Sequence, residues 1–198
     1  RKVALKLMRP SLALVARSRE RFRREVEALT RLQHPSICPV FDAGEVEGTP
    51  YLAMQYLEGR TLSRIISQER KRRENRATDR DELDRKLAWM EEIARGLQEA
   101  HRQGFVHRDV KPGNIMITEE KRAVLLDFGL ARVVAEGQDG LTHTGDKLGT
   151  PTYMAPEQIS GEGEVDRRSD LYALGVTLYE SLSLEPPFHG QTREALYR

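Results

Sequence analysis

The spacing of apolar positions changes along the chain. Apolar runs over residues 3–8, 38–43 and 49–56 predict three short strands in the first part of the sequence. Between the first two runs, apolar residues recur at spacings of four and three among charged residues: Phe22, Val26, Leu29 and Leu32. This periodicity predicts a helix over residues 18–32, which Pro35 ends.

The second part of the chain is dominated by helical periodicity. A short helix is predicted to begin over residues 62–66, a long one to cover residues 83–103 and an apolar-rich one to cover residues 170–183. Before the last of these, apolar runs over residues 115–117 and 124–126 flank a polar turn and predict a hairpin. Strands that precede helices in this order indicate two unlike lobes, an α+β fold.

Two polar segments interrupt these patterns. Residues 69–85 contain almost no apolar side chain, which predicts a solvated insertion or an exposed helix. A basic docking patch over residues 70–73 is the alternative. Residues 132–151 are polar and rich in glycine, which predicts a loop.

Composition and charge exclude several classes of protein. The 32 basic and 31 acidic residues leave a net charge of +1, which gives no electrostatic reason to expect nucleic acid or a membrane surface as a partner. No apolar stretch approaches the roughly 20 residues that a membrane span needs. The single cysteine, Cys38, excludes an internal disulfide and fits a reducing, cytoplasmic compartment. Its apolar neighbours predict a buried, unreactive thiol.

One charged segment, HRDVKPGN at residues 107–114, carries candidate chemistry. Asp109 can orient a hydroxyl group and accept its proton, Lys111 can neutralise a phosphate, and the amide oxygen of Asn114 suits Mg²⁺. Asp127 follows an apolar run and would add a carboxylate ligand. Oxygen ligands with open coordination positions are typical of sites that hold Mg²⁺ on phosphate groups. Taken alone, the segment could also be a solvated turn.

Four motifs follow one another along the chain: VALK at residues 3–6, HRDVKPGN at 107–114, DFG at 127–129 and GTPTYMAPE at 149–157. With DRRSDLYALG at residues 166–175, they resemble the signature motifs of eukaryotic-type protein kinase domains, most closely those of bacterial Ser/Thr kinases. The resemblance implies a bilobal protein-kinase-like fold with a small β-rich N-lobe and a larger, mostly α-helical C-lobe.

The resemblance also implies how the chain is divided. Residues 1–57 would be part of the N-lobe and residues 58–198 the C-lobe, with a charged insertion at about residues 69–85. The Gly-rich loop that precedes VALK in the family and the last helices of the C-lobe are not in the sequence. We therefore expect a fragment of a kinase domain, in which nucleotide binding and phosphoryl transfer would be weakened.

Catalytic roles follow from the resemblance residue by residue. Lys6 would bind the α- and β-phosphates of ATP and pair with Glu25, or alternatively with Glu27, on the first helix. Asp109 would orient the substrate hydroxyl and accept its proton. Lys111 would stabilise the transferring phosphoryl group.

The metal and the activation segment receive roles in the same way. Asn114 and Asp127 would hold Mg²⁺, with Mn²⁺ as an alternative metal. Thr150 would hydrogen-bond the catalytic Asp and Lys. Thr142 and Thr144 would be sites of autophosphorylation, where a phosphate could pair with Arg108 of the catalytic loop, residues 107–114.

The resemblance places the adenine base of ATP at the joint between the lobes. Met54 would be the gatekeeper residue, and Gln55 and Leu57 would belong to the hinge whose backbone bonds the base. Ala4 and Met116 would form the apolar floor and roof of this pocket.

Two further residues of the matched motifs are expected to have structural roles. His107 would pack on Phe128 and support the catalytic loop. Asp170 would brace that loop through backbone amides. The remaining histidines have no metal-ligand spacing and are expected to be structural or exposed.

The function implied is that of an ATP- and Mg²⁺-dependent Ser/Thr protein kinase that acts on protein substrates. Self-association could serve autophosphorylation. The alternatives are a pseudokinase-type scaffold that binds ATP without transferring phosphate, and an inactive fragment of a kinase. A small-molecule kinase is disfavoured because GTPTYMAPE resembles the peptide-binding segment of protein kinases.

Overall fold

The computed structural model describes residues 2–7, 26, 29–47, 49–72, 79–128, 151–161 and 163–188. Its first sheet is antiparallel and consists of β1 (Val3–Leu7), β2 (Val40–Val46) and β3 (Thr49–Gln55), with β3 in the centre. Every second residue of β3 is buried, as expected for a strand with one face toward the core. The three predicted strands are confirmed, although β2 begins and ends later than predicted.

The helix predicted over residues 18–32 lies mostly outside the described residues. Val26 and Leu29 are described in helical conformation, and both are buried in the main hydrophobic core. Leu32 is buried in the same core, so three of the four apolar positions behind the prediction face inward. The loop predicted over residues 132–151 also lies outside the described residues, except for its last residue.

The second sheet is built on the predicted hairpin. Strands β5 (Ile115–Thr118) and β6 (Ala123–Leu125) pair antiparallel, and β4 (Gly59–Thr61) adds to the other edge of β5. The segment that precedes β2 also reaches this sheet, because the Cys38 amide donates to the Leu125 carbonyl at 2.9 Å. This contact ties the first part of the chain to the strand that leads into Asp127.

Helix α1 (Leu62–Arg72) follows β4 directly. Its buried residues, Leu62 and Ile66, are one turn apart and at most 1% exposed, so one face of the helix packs into the core. The helix is longer than predicted and continues into the charged segment that begins at residue 69.

Helix α2 (Arg80–Arg102) is the long helix predicted from apolar periodicity, and it begins three residues earlier than predicted. Asp79 caps its first turn by accepting a hydrogen bond from the Asp81 amide. Gly104, just beyond the C-terminus, has a φ of 83°, a conformation in which glycine is favoured. The buried face contains Ile93, Leu97 and Ala100, which are all 0% exposed.

The described parts of the charged segment are helical rather than a wholly solvated insertion. Lys86, one residue past its end, is only 2% exposed. Its Nζ lies 2.6 Å from Glu69 on α1 and 2.9 Å from Glu82 one turn earlier on α2. The three side chains therefore join the end of α1 to the beginning of α2.

The last described elements are the short helix α3 (Pro156–Ser160) and the helix α4 (Arg167–Ser183). Asp166 caps α4 by accepting a hydrogen bond from the Arg168 amide at 2.8 Å. Helix α4 packs against α2 and buries polar as well as apolar residues. It contains the predicted helix over residues 170–183. Among the helices that the structure describes, none has the length and apolarity needed to cross a membrane.

We expect Lys86→Met to lower the free energy of unfolding by about 3 kcal/mol, because it leaves two carboxylates without their buried cation. Urea denaturation followed by circular dichroism measures this change. Arg95→Met is a matched control on the same helix, because the side chain of Arg95 is 70% exposed in its ion pair with Glu91. Equal effects of the two substitutions would contradict the structural role of Lys86.

The same cluster predicts a pH dependence. The hydrogen bond from Lys86 lowers the pKa of Glu82 below its ordinary value of 4.5. Its contribution to stability is therefore present above pH 4.5 and is lost as the pH falls through the lowered pKa. We expect the difference in unfolding free energy between the native protein and Glu82→Gln to be present at neutral pH and to vanish in acid. A difference that grows in acid would contradict this assignment.

Candidate active site

The segment over residues 107–114 forms a closed set of hydrogen bonds around Asp109. The Lys111 Nζ lies 2.9 Å and 2.8 Å from the two carboxylate oxygens of Asp109. The Asn114 side-chain amide donates to both the backbone carbonyl and the carboxylate of Asp109, at 2.8 Å each. A 3₁₀ turn over Pro112–Asn114 brings the chain back toward Asp109. Lys111 and Asn114 can therefore both bond the Asp109 carboxylate.

His107 has the structural role predicted for it. Its ring lies 4.7 Å from the Phe128 ring, centroid to centroid, and it is 0% exposed. The Asp109 amide donates to Nδ1 at 3.2 Å, so Nε2 carries the proton and donates to the Leu126 carbonyl at 2.8 Å. Burial lowers the pKa of His107, which agrees with a neutral ring.

Asp170 supports the loop from helix α4, as predicted. It is 0% exposed, and its Oδ2 and Oδ1 accept the backbone amides of His107 and Arg108 at 2.8 Å and 2.7 Å. The His101 Nε2 donates to Oδ2 at 2.7 Å. Burying a carboxylate is costly unless donors surround it, and these three donors supply that environment.

Asp127 and Lys6 meet across the two sheets. The Lys6 Nζ on β1 lies 2.9 Å from the Asp127 Oδ2, just beyond β6. Asp127 has a φ of 57°, a left-handed conformation that costs a non-glycine residue of the order of 1–3 kcal/mol.

Five residues that the sequence singled out lie outside the described residues. They are the predicted partner of Lys6 and its alternative, the two predicted phosphorylation sites and the predicted threonine partner of the catalytic loop: Glu25, Glu27, Thr142, Thr144 and Thr150. Their predicted roles stay predictions.

The residues predicted to surround the adenine base lie on both sheets. Ala4 and Met54 are directly opposite each other on β1 and β3. Ala4 and Leu57 are partly buried against the core that contains Met54. Met116 lies on β5, opposite Val124.

Gln55, which was predicted to belong to the hinge, uses both of its backbone groups within the protein. Its amide donates to the Pro39 carbonyl at 3.0 Å. Its carbonyl lies 3.5 Å from the Cys38 thiol, which the structure buries as predicted. Burial raises the pKa of this thiol to about 11.

The donor set around the loop fits Mg²⁺. Asp127 could supply a carboxylate, and Asn114 could supply its amide oxygen, because its amide nitrogen is bonded to Asp109. Mg²⁺ binds such oxygen ligands, usually through one or two side chains, with water and phosphate completing the shell. Within the described residues, no group of three or more His, Cys, Asp or Glu is placed to hold a metal ion.

The sequence profile of the family described as Protein kinase domain matches residues 1–198. The chain belongs to this family. It is 39% identical over 196 residues to the serine/threonine-protein kinase PknB of Mycobacterium tuberculosis, covering 97% of this chain and 30% of that protein. It is 38% identical over 200 residues to a probable serine/threonine-protein kinase of Streptomyces coelicolor, covering 99% of this chain and 28% of that protein. The chain thus spans less than a third of the length of these curated relatives.

Solved structures agree with the predicted fold. The crystal structure of the PknI kinase domain of M. tuberculosis is 34% identical to this chain and superimposes with a TM-score of 0.71. The match covers 94% of this chain and 64% of that structure. The bilobal, α+β protein-kinase fold predicted from the motifs is therefore confirmed.

The kinase domain contains a second polar network that the sequence did not indicate. The Tyr153 hydroxyl, in the turn that follows Thr150, donates to the Glu180 carboxylate on α4 at 2.5 Å. Burial and this bond raise the pKa of Tyr153. Arg70 on α1 lies 3.8 Å from Glu180 and donates to the Leu184 carbonyl at 2.6 Å. The network connects α1, α4 and the GTPTYMAPE segment.

Two further side chains next to the catalytic loop were not assigned a specific role from the sequence. His101 was expected to be structural or exposed, and it is structural: its side chain is 12% exposed and donates to Asp170. Gln158 was not singled out at all, and it donates to the Arg108 carbonyl at 2.9 Å. A signal existed for Gln158, since a glutamine at the third position of a helix can bond back to the residue before the helix.

We expect Asp170→Asn to lower the free energy of unfolding by about 3 kcal/mol, because the amide group would face a backbone N–H that needs an acceptor. Chemical denaturation measures this loss. Asp166→Asn is a matched control at the start of the same helix, since asparagine also serves as an N-cap. An Asp170→Asn variant as stable as this control would contradict the bracing role.

Proposed function

We propose that this kinase domain transfers the γ-phosphate of ATP to Ser and Thr hydroxyl groups of proteins. The observation that carries the proposal is the Asp109 carboxylate, which is held by Lys111 and Asn114 within a domain of the protein kinase family. The relatives named as serine/threonine-protein kinases support this choice of substrate hydroxyl.

Asp109 is suited to bind and orient an attacking hydroxyl. Its side chain remains 41% exposed although Lys111 and Asn114 both bond it, so a substrate can reach it. A carboxylate held in one orientation lowers the entropic part of the barrier, because the hydroxyl meets it in one geometry. The neighbouring Lys111 ammonium would stabilise negative charge on the transferring phosphoryl group.

Lys6 and Asp127 are suited to the phosphate and metal ends of ATP. Lys6 would bind the α- and β-phosphates, and Asn114 and Asp127 would hold Mg²⁺ or Mn²⁺. The metal would supply positive charge beside the phosphate oxygens when bound. The 2.9 Å ion pair between Lys6 and Asp127 keeps these two groups within one small volume.

The adenine base would lie among Ala4, Met54, Gln55, Leu57 and Met116. Most of these side chains are apolar, as is typical of nucleotide pockets. The location of Ala4 supports this position, because Ala4 lies two residues before Lys6 on β1. The two side chains are therefore on the same face of the strand.

The family resemblance supplies the remaining roles. Glu25 would pair with Lys6, and Thr150 would bond Asp109 and Lys111. Thr142 and Thr144 would be autophosphorylated, with self-association as the means. Proteins with Ser or Thr would be the substrates. The free, buried thiol of Cys38 supports a cytoplasmic location for the kinase domain, whose parent protein could be anchored in a membrane.

The test is transfer of labelled phosphate from ATP by the native protein in the presence of Mg²⁺. We expect label on Ser or Thr, and a loss of about 100-fold or more in Asp109→Asn, because the acceptor of the hydroxyl proton is removed. Asp127→Asn should require more Mg²⁺ for any remaining activity.

Asp84→Asn is the matched control for both variants, because the side chain of Asp84 is 63% exposed on α2. It should leave transfer unchanged. ATP binding without transfer by the native protein would reject the kinase and favour the scaffold.

A further inference from the structure

The backbone immediately before Asp109 is in a costly conformation. Arg108 has a φ of 66°, in the left-handed region that residues with a side chain rarely adopt. Such conformations persist only where the surrounding structure determines them. The contacts of the Arg108 backbone therefore decide how Asp109 is presented.

These contacts come from two different elements. The Arg108 amide donates to the Asp170 Oδ1 on α4 at 2.7 Å. The Arg108 carbonyl accepts from the Gln158 Nε2 on α3 at 2.9 Å. Gln158 is 5% exposed, so its amide group is placed in the interior rather than at the surface.

The bond from Gln158 acts on the peptide group that joins Arg108 to Asp109. The carbonyl of this group accepts from Gln158, and its N–H donates to the His107 Nδ1 at 3.2 Å. With both polar atoms held, the plane of this peptide group is fixed, and with it the position of the Asp109 Cα from which the side chain extends.

Gln158 also fixes the segment in which it lies. Its Oε1 accepts the Ala155 amide at 3.0 Å, which satisfies a donor at the start of α3. One amide side chain therefore bonds both the end of the GTPTYMAPE segment and the catalytic loop. A change in the position of one would be transmitted to the other.

We infer that Gln158 is a positioning residue for the reaction, which holds the Arg108–Asp109 peptide so that the Asp109 carboxylate meets the substrate hydroxyl. The inference rests on the proposed kinase activity and adds to it a residue outside the catalytic loop. Misplacement of a catalytic group by about 1 Å can cost about 100-fold in rate.

Two substitutions separate the two bonds of Gln158. Gln158→Met has a similar length and removes both bonds. Gln158→Glu keeps an acceptor for the Ala155 amide but has no donor for the Arg108 carbonyl at neutral pH. If the first variant folds poorly, the second still tests the bond to the catalytic loop.

Trp89→Phe is the control for general destabilisation. It removes the indole hydrogen bond to the Lys121 carbonyl, 2.8 Å long, at the turn of the β5–β6 hairpin. It therefore lowers stability through the loss of one buried bond without contact with the catalytic loop.

The measurements are kcat, the KM for ATP and the melting temperature of the native protein and each variant. We expect kcat to fall about 10- to 100-fold in both Gln158 variants, with the KM for ATP unchanged. Trp89→Phe should lower the melting temperature and leave kcat within about twofold of the native value. In an Asp109→Asn background, Gln158→Glu should cause little further loss, because residues that act as a unit are not additive.

Three results would overturn the inference. They are an unchanged kcat in Gln158→Glu, an equal fall in kcat in Trp89→Phe, and a full further loss in the Asp109→Asn background. Each of these presupposes an active native protein and leaves the proposed function standing. A native protein that transfers no phosphate would overturn the proposed function, and this inference with it.

Discussion

The buried carboxylate of Asp170 is the interaction on which the catalytic loop depends. A carboxylate without exposure to water costs several kcal/mol unless it is paired or hydrogen-bonded, so its donors must be present for the domain to fold. Two of these donors are consecutive backbone amides, at His107 and Arg108, and the third is His101 on α2. The cost of burial thus requires the loop to lie against α4. Helix α4 thereby determines where Asp109 lies.

The sequence indicated the part of the site whose chemically distinctive side chains lie close together along the chain. Asp109, Lys111 and Asn114 stand within one short segment, and their side chains meet because a single turn brings them together. Gln158 and His101 could not be predicted in this way, because their partners are 50 and 69 residues away. No local sequence pattern shows that a glutamine or histidine side chain will bond to a group so far away along the chain.

The charged segment shows a different limit of pattern analysis. Lys86 continues the buried stripe of α2, which proceeds through Met90, Ile93 and Leu97 at spacings of four and three. Because lysine is almost never fully buried, the residue type alone would predict an exposed side chain at this position. The helical spacing instead predicts a buried side chain, which is correct. Acidic partners on two helices offset the cost of burying the Lys86 ammonium.

Backbone strain is placed next to both acidic groups of the site. Arg108, which precedes Asp109, and Asp127 itself have left-handed backbones. The left-handed conformation of Arg108 is held by bonds from Asp170 and Gln158. The carboxylate of Asp127 is instead held by an ion pair with Lys6, whose ammonium the phosphates would also attract. In the proposed reaction the phosphates would compete with Asp127 for Lys6, whereas the bonds to the Arg108 backbone involve no phosphate-binding side chain.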